Sequence, residues 1–380
     1  MQLRQALIMT ALATGTSLMT APRIDAAPGV DTQAFECLMQ LFSDSDHVGV
    51  RSAITDYTVT LAEGSTLNLH WNNERVSVPA IAAAPGTQEA IDAITTASRP
   101  IAGNAYQDFT KLRNEFQGEM TRGSARFSYY NSQETDYVGQ QIAAGYNRDF
   151  SDAQLNLSVG SSFGWDAIDP VADDDTFGGF ATKTTLHANA VATRVISPTL
   201  LVRMGAELNL VSGLQHNPYR NVYAGGSRLP ENHPDHRVRR DLFLKVNQYL
   251  LNRSSLKFNY RFYNDDWGIT SHEIGTRLSQ VITRAVFAGY EYRYYTQGEA
   301  YFYRDEYPTV NGIDGYMSGD YRMADLASHL FGFTFDVDLR EWATETPVLG
   351  RTELRFNIER YFNSNNYSAN ILTTRAIYHF

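Results

Sequence analysis

Cysteine is almost missing from this chain, with one residue, Cys37, in 380. A single thiol forms no intrachain disulfide. Without a Cys-x-x-Cys-His run the chain attaches no c-type haem, and no cofactor is expected of it. Long apolar runs are missing as well. Beyond the first 30 residues no stretch reaches the roughly 20 apolar residues a helix needs to cross hydrocarbon, which excludes helical spanning. Basic charge is in short supply. The chain has 32 Lys and Arg against 42 Asp and Glu, a net charge of −10, the wrong sign for a nucleic-acid partner.

Aromatic residues, in contrast, are plentiful, with 23 Tyr and 20 Phe. The N-terminal segment reads as a secretory signal. Arg4 precedes the mostly apolar stretch 6–21, and Ile24-Asp25-Ala26 offers a small residue for cleavage, so residues 1–26 are expected to be removed on export. The end of the chain alternates. Phe380, Tyr378, Ala376, Thr374 and Leu372 occupy every second position, which is the period of a strand. A last strand ending on Phe resembles the closing strand of Gram-negative outer-membrane barrels. That resemblance implies that Phe380 addresses the chain to the barrel assembly machinery and that lipid is its surroundings. An edge strand of a soluble sandwich is the alternative reading, and the rest of the chain decides between them.

The alternation recurs. Lys111, Arg113, Glu115, Gln117 and Glu119 share one face, with Leu112, Phe116 and Met120 on the other. Val202, Met204, Ala206, Leu208 and Leu210 oppose Arg203, Glu207 and Asn209. Leu256, Phe258, Tyr260 and Phe262 oppose Lys257, Asn259, Arg261 and Tyr263, while Phe331, Phe333, Phe335 and Val337 oppose Thr334 and Asp336. The breaks between these runs take turns, although a few short ones, such as 133–135 and Trp267-Gly268, must sit on the long-loop end. Short ones fall at Arg122-Gly123, Ser197-Pro198, Asn252-Arg253 and Thr283-Arg284; long ones lie near 80–106, 166–181, 214–236 and 296–325. Short turns at one end and long loops at the other are the asymmetry of a transmembrane barrel. Counting from a first strand at 35–43 gives sixteen strands, with fourteen as the alternative count. The expected fold is all-β: one antiparallel up-and-down transmembrane barrel over residues 27–380, with a polar interior. One short helix is expected within the loop near 80–106. Tyr290, Tyr292 and Tyr294, with Trp71 and Trp165, are expected in an interfacial aromatic girdle.

Three stretches carry a likeness to a known family. They are Ser132-Gln133-Glu134-Thr135-Asp136-Tyr137 through Gly164-Trp165-Asp166, then Asn217-Pro218-Tyr219-Arg220-Asn221-Val222-Tyr223, and Tyr260-Arg261-Phe262-Tyr263-Asn264-Asp265-Asp266-Trp267. In these the chain resembles an uncharacterised family of outer-membrane β-barrels catalogued as a domain of unknown function. Members are often encoded beside a small lipoprotein, a thioredoxin-like protein and a flavin transferase. The resemblance therefore implies a Gram-negative outer-membrane location and periplasmic redox partners. It carries over no catalytic residue.

The main functional candidates lie on the inward face. If apolar residues meet lipid, then Lys111, Arg113, Glu115, Arg203, Glu207, Lys245, Lys257, Arg261, Glu273, Arg277, Glu291, Arg293, Glu353 and Arg355 line the lumen, with Glu74 and Glu359 beside them. They make either a charged conduit or binding site for a small polar solute, or a network of ion pairs that fills the interior. The loop 296–325, rich in tyrosine, is a candidate constriction. Asp173, Asp174 and Asp175 offer hard oxygen ligands for Ca²⁺, and His233 and His236, with His216 upstream, offer imidazoles for Zn²⁺ or Cu²⁺. A solvated acidic loop and ordinary loop histidines are the plainer readings. Hydrolysis at the barrel mouth would need Asp235-His236 near Asp265-Asp266, or Ser271 with His272, to converge. Sequence thus leaves three functions in view: a channel or binding barrel, a non-conducting scaffold for a redox or flavin-linked assembly, and a mouth hydrolase.

Overall fold

The computed structural model describes residues 29–45, 48–78, 109–170, 179–341, 346 and 348–379. The expected signal peptide at 1–26, the expected helix near 80–106, Asp173, Asp174, Asp175 and Phe380 lie outside the described residues. In chain order the strands are β1 (Val30–Asp44), β2 (Gly49–Leu61), β3 (Thr66–Val78), β4 (Phe109–Arg122), β5 (Ala125–Gln133), β6 (Tyr137–Phe150) and β7 (Leu155–Ile168). They continue as β8 (Ala181–Ser197), β9 (Leu200–Gly213), β10 (Asn221–Ala224), β11 (Ser227–Pro230), β12 (His236–Leu250), β13 (Ser254–Asp265) and β14 (Thr270–Val281). The last are β15 (Val286–Gln297), β16 (Glu306–Tyr307), β17 (Leu326–Asp338), β18 (Thr352–Asn363) and β19 (Ser368–His379).

Among the described residues, sixteen of these strands form one closed barrel. Each pairs antiparallel with its neighbour in sequence, except that β10, β11 and β16 leave the wall and build a separate three-stranded sheet. Closure comes from β1 against β19, paired from Ala34 opposite His379 to Asp44 opposite Ala369. The strand count is the larger of the two expected, and β1 is longer than the stretch 35–43 foreseen for it.

Strand β4 settles which face looks where. Lys111 and Glu115 are 9% and 8% exposed, whereas Leu112 and Phe116 on the same strand are 53% and 41% exposed. A water-soluble strand buries its apolar face, and here the order is reversed. The rest of the wall follows: Trp71, Met204, Leu242, Phe331, Phe333 and Ile358 all stand exposed on the outside. Apolar exteriors and a sheet without free edges are what hydrocarbon demands of backbone polar groups.

At one end β4 turns into β5 through two residues, where Gly123 takes φ of 56°, a conformation glycine adopts without steric cost. Both barrel termini sit at this end. One connection there is long, the segment 339–351 between β17 and β18, with two single 3-10 turns at Leu339–Glu341 and Leu349–Arg351. The three tyrosines of β15 share its outer face. They stack up the outer wall at successive levels, Tyr290 against Phe333 at 5.4 Å and Tyr292 against Phe331 at 5.0 Å. Outward histidines are tied off by neighbouring hydroxyls: Tyr292 meets His329 Nδ1 at 3.0 Å and Tyr260 meets His272 Nδ1 at 2.8 Å.

Phe333 lies midway along β17 on the outer wall, so Phe333→Arg should destabilise the bilayer-inserted protein by about 2–4 kcal/mol. Thr373→Arg, on the inner wall, should cost far less. Denaturant unfolding in vesicles compares them, and equal costs would contradict the assigned faces.

Candidate functional site: a charged lumen beneath a folded cap

The inner wall is built by parity. Wherever an outward residue of one strand opposes an outward residue of the next, the residues between them face in, and the register holds around the barrel apart from shifts at Val30/Thr32 and Val195/Ser197, near strand ends. Eleven of the fourteen lumen candidates sit in ion pairs. On β4, Arg113 donates through Nε to Glu115 at 2.9 Å and lies 3.8 Å from Glu74. Glu115 also accepts from Asn72 at 2.7 Å and from the Tyr130 hydroxyl. Lys111 reaches up to Asp136, 3.1 Å away, and to Glu134 in the β5–β6 turn. On the opposite arc Arg261 pairs with Asp241 and with Glu207 at 3.9 Å, Arg277 with Glu291 at 3.5 Å, and Arg293 with Glu273 at 3.8 Å. Near β17 and β18, Arg355 holds Asp336 at 2.8 Å, and Glu353 binds Arg340 and His379. The remaining three candidates, Arg203, Lys245 and Lys257, have no carboxylate in ion-pair reach among the described residues and are exposed.

Exposure decides between a filled and a watered interior at these levels. Arg261 is 49% exposed, Arg277 37% and Glu291 38%, although all three face inward. Water therefore reaches them from the lumen. Pairs so solvated are worth only about 0–1 kcal/mol each, so they set the positions of charges more than the stability of the wall.

Above the lumen two of the long loops fold into a cap. The loops 214–235 and 298–325 meet where Asn232 and Met317 exchange backbone hydrogen bonds of 3.0 and 2.8 Å, and β10 pairs with β16. Two small cores result. One gathers Trp267, Ile269, Ala300 and Phe302, the other Val222, Ala224, Tyr307 and Met317. The cap is bolted to the wall by Arg237 of β12, which donates to Asp265 of β13 at 2.9 Å and lies 4.1 Å over the Trp267 ring. Asp265 also accepts from the backbone N–H of Trp267 at 3.1 Å and of Ile269 at 3.0 Å. At its edges the cap spans the mouth. The Tyr219 hydroxyl donates to Asp136 beside β6, and Tyr321 packs on Tyr367, which donates to Asp44 of β1 at 3.2 Å. Burial pushes the Asp136 carboxyl up, but the bonds from Tyr219 and Lys111 outweigh it and hold its pKa below the ordinary value.

Within the cap, Glu231 accepts from the Ser318 hydroxyl at 2.9 Å and the Gly319 amide at 3.1 Å. Its Oε2 and both ring nitrogens of His233 have no hydrogen-bond partner among the described residues. The two groups lie 3.7 Å apart. Burial, with the Asp320 charge adding, lifts Glu231 from 4.5 to about 7, against the pull of Arg220 and its two hydrogen bonds. Burial, with the charges of His216 and Arg237 adding, lowers His233 from 6.5 to about 3.

Of the three expected imidazoles, His216 and His233 meet edge-on with ring centres 5.9 Å apart, but His236 does not join them. His233 is buried between Trp267 at 5.5 Å and Phe302 at 5.3 Å, whereas His236, beyond Pro234-Asp235, is exposed at the start of β12 and faces Asp235 at 3.7 Å. Among the described residues no three His, Cys, Asp or Glu side chains are gathered to hold a metal. The hydrolytic pairings are not formed either. Ser271 is buried and His272 is exposed on the outer face, as adjacent strand residues must be, and Asp265 is consumed by Arg237 and the Trp267 turn. Three inward charged residues, Arg237, Arg239 and Asp241, are not among the lumen candidates. Their alternation with Val238, Arg240 and Leu242 on β12 is the signal that would have found them.

The profile of the family described as "Protein of unknown function (DUF3570)" matches residues 174–376, more than half of the chain. The chain belongs to that family. No curated protein matches it. Among solved structures, a loop-deletion mutant of OmpT, an outer-membrane protein of Vibrio cholerae, has 10% identity and a TM-score of 0.43, covering 92% of this chain and 99% of its own. OpdK of Pseudomonas aeruginosa, solved with vanillate, has 9% identity and a TM-score of 0.39, covering 92% and 98%. A bacterial polysaccharide outer-membrane secretin has 7% identity and a TM-score of 0.48, covering 92% and 98%. At such scores these likenesses carry no argument about this DUF3570 member.

The opposed shifts of Glu231 and His233 set the pH response of the cap. A raised carboxyl pKa stabilises the folded cap at low pH, an advantage lost as pH rises from 4.5 through 7. A lowered imidazole pKa gives stability above 6.5 that is lost as pH falls toward 3. Between 4.5 and 6.5 the two slopes, each about 1 kcal/mol per pH unit, oppose one another, and the cap should be indifferent to pH. Glu231→Gln leaves the histidine alone, so the cap should loosen as pH falls from 6.5 to 4.5. Hydrogen exchange at the Ser318 amide reads this, and a flat profile in the variant would refute it.

Proposed function

We propose that this barrel resides in the outer membrane of a Gram-negative bacterium and passes or binds small polar or charged solutes. The observation that carries this reading is the exposure of inward-facing charges within a closed sixteen-strand wall. A wall of that many strands encloses room for an aqueous path. Fixed charges along such a path select by sign, and a constriction at the mouth selects by size. The cap supplies the constriction, since it reaches from the β5–β6 turn to β1.

The cap also favours a second reading, a barrel closed at its outer mouth that serves as a scaffold. In that case the periplasmic partner, a lipoprotein or thioredoxin-like protein, would meet the short-turn end, where the connection 339–351 stands out from the other turns.

Purified protein in planar bilayers separates the two. Discrete conductance steps are expected of the wild type. Arg237→Ala strands the buried Asp265 carboxylate, a change that costs about 3–5 kcal/mol locally, and should raise the step size by freeing the cap. Silence from both proteins would reject passage in favour of the scaffold.

A further inference from the structure

The three exposed lumen candidates without a carboxylate in ion-pair reach among the described residues are neighbours. Arg203 of β9 is directly opposite Lys245 of β12, and Lys257 of β13 is opposite Asn247, the next inward position after Lys245. Like charges facing each other across a strand pair are destabilising, and among the described residues no carboxylate lies in ion-pair reach of either. Most other lumen cations have a carboxylate within reach, half-buried Arg239 higher on β12 being an exception; here Glu207, Glu273 and Glu291 are each engaged with Arg261, Arg293 or Arg277.

The surroundings are shaped for a guest and not for a salt bridge. Thr193 faces Arg203 and Asn259 faces Lys245, adding neutral hydrogen-bonding groups at the same level. On the other side the Phe243 ring lies across Gly205, where a Cβ would come within 2.5 Å of it. Glycine at 205 thus lets the ring lie against the wall, with the Lys245 ammonium 5.4 Å from the ring centre. All three cations are open to water, and Arg277, opposite Lys257, extends the basic arc.

We propose that Arg203, Lys245 and Lys257 form a binding station for a small oxyanion, carboxylate or phosphate, on the lumen wall. The station rests on the proposed passage of charged solutes and gives that passage its sign. An arriving anion relieves the repulsion between Arg203 and Lys245, and the guanidinium offers a planar fork to two oxygens. The solvated setting keeps the attraction modest, so that the anion also leaves, as conduction requires.

The experiment compares wild type with R203Q/K245Q/K257Q, all exposed positions, after heat-modified migration confirms that both are folded. In planar bilayers under a KCl gradient the wild-type reversal potential should show preference for chloride, and the triple variant should lower the anion-to-cation permeability ratio by about threefold. Separately, calorimetric titration in detergent with inorganic phosphate and with acetate should show saturable binding that the variant loses; which of the two binds tighter identifies the source. Cation preference in the wild type, or an unchanged ratio in a conducting variant, overturns the station. Should neither protein conduct, passage fails, and calorimetry alone decides: binding lost in the variant upholds the station, and no binding in the wild type overturns it.

Discussion

Everything in this structure depends on the pairing of β1 with β19. In hydrocarbon an unpaired backbone amide or carbonyl costs several kcal/mol, because no water is there to take it. A sheet of fifteen ladders with one open seam would expose two rows of such groups. The eleven residue pairs from Ala34–His379 to Asp44–Ala369 remove that seam, and only then can the side chains be sorted into an outer apolar skin and an inner ionic lining. Orientation of every charge in the lumen follows from closure, register and parity, with no further instruction.

Wall and cap solve the burial of charge in different ways. In the lumen, opposed charges stay half in water, and their pairing fixes geometry at little energetic gain. In the cap the groups are enclosed, so each must be satisfied or neutralised. Asp265 is saturated by Arg237 and two backbone amides. Glu231, lacking such a partner on Oε2, and His233, lacking one on either ring nitrogen, adjust by shifting where they hold protons.

The wall was legible in the sequence because its period is local. Leu112 and Phe116 against Lys111 and Glu115 can be sorted by counting in twos, and the same count places Arg203, Lys257 and Arg261 on one face. The alternation of short and long breaks likewise separates the two ends. The cap was not legible, because its contacts join loops far apart in sequence: Asn232 with Met317, Tyr219 with Asp136, β10 with β16. No period announces such pairings. His233 and His236 read as a ligand pair by proximity in sequence, yet Pro234 and the start of β12 send one into an aromatic core and the other to the surface. Ser271 and His272 fail for the opposite reason, since the strand that holds them together in sequence points them apart.

The bolt of the cap is made from wall residues. Arg237 and Asp265 come into range only once β12 has zippered onto β13, and β16 arrives to join β10 only after β13, β14 and β15 have been laid down between them. The lid's bolt and strand pairing therefore depend on the arc from β12 to β15 and not on β17, β18 or β19. A chain in which that arc fails to zip would have nothing to bolt its lid down.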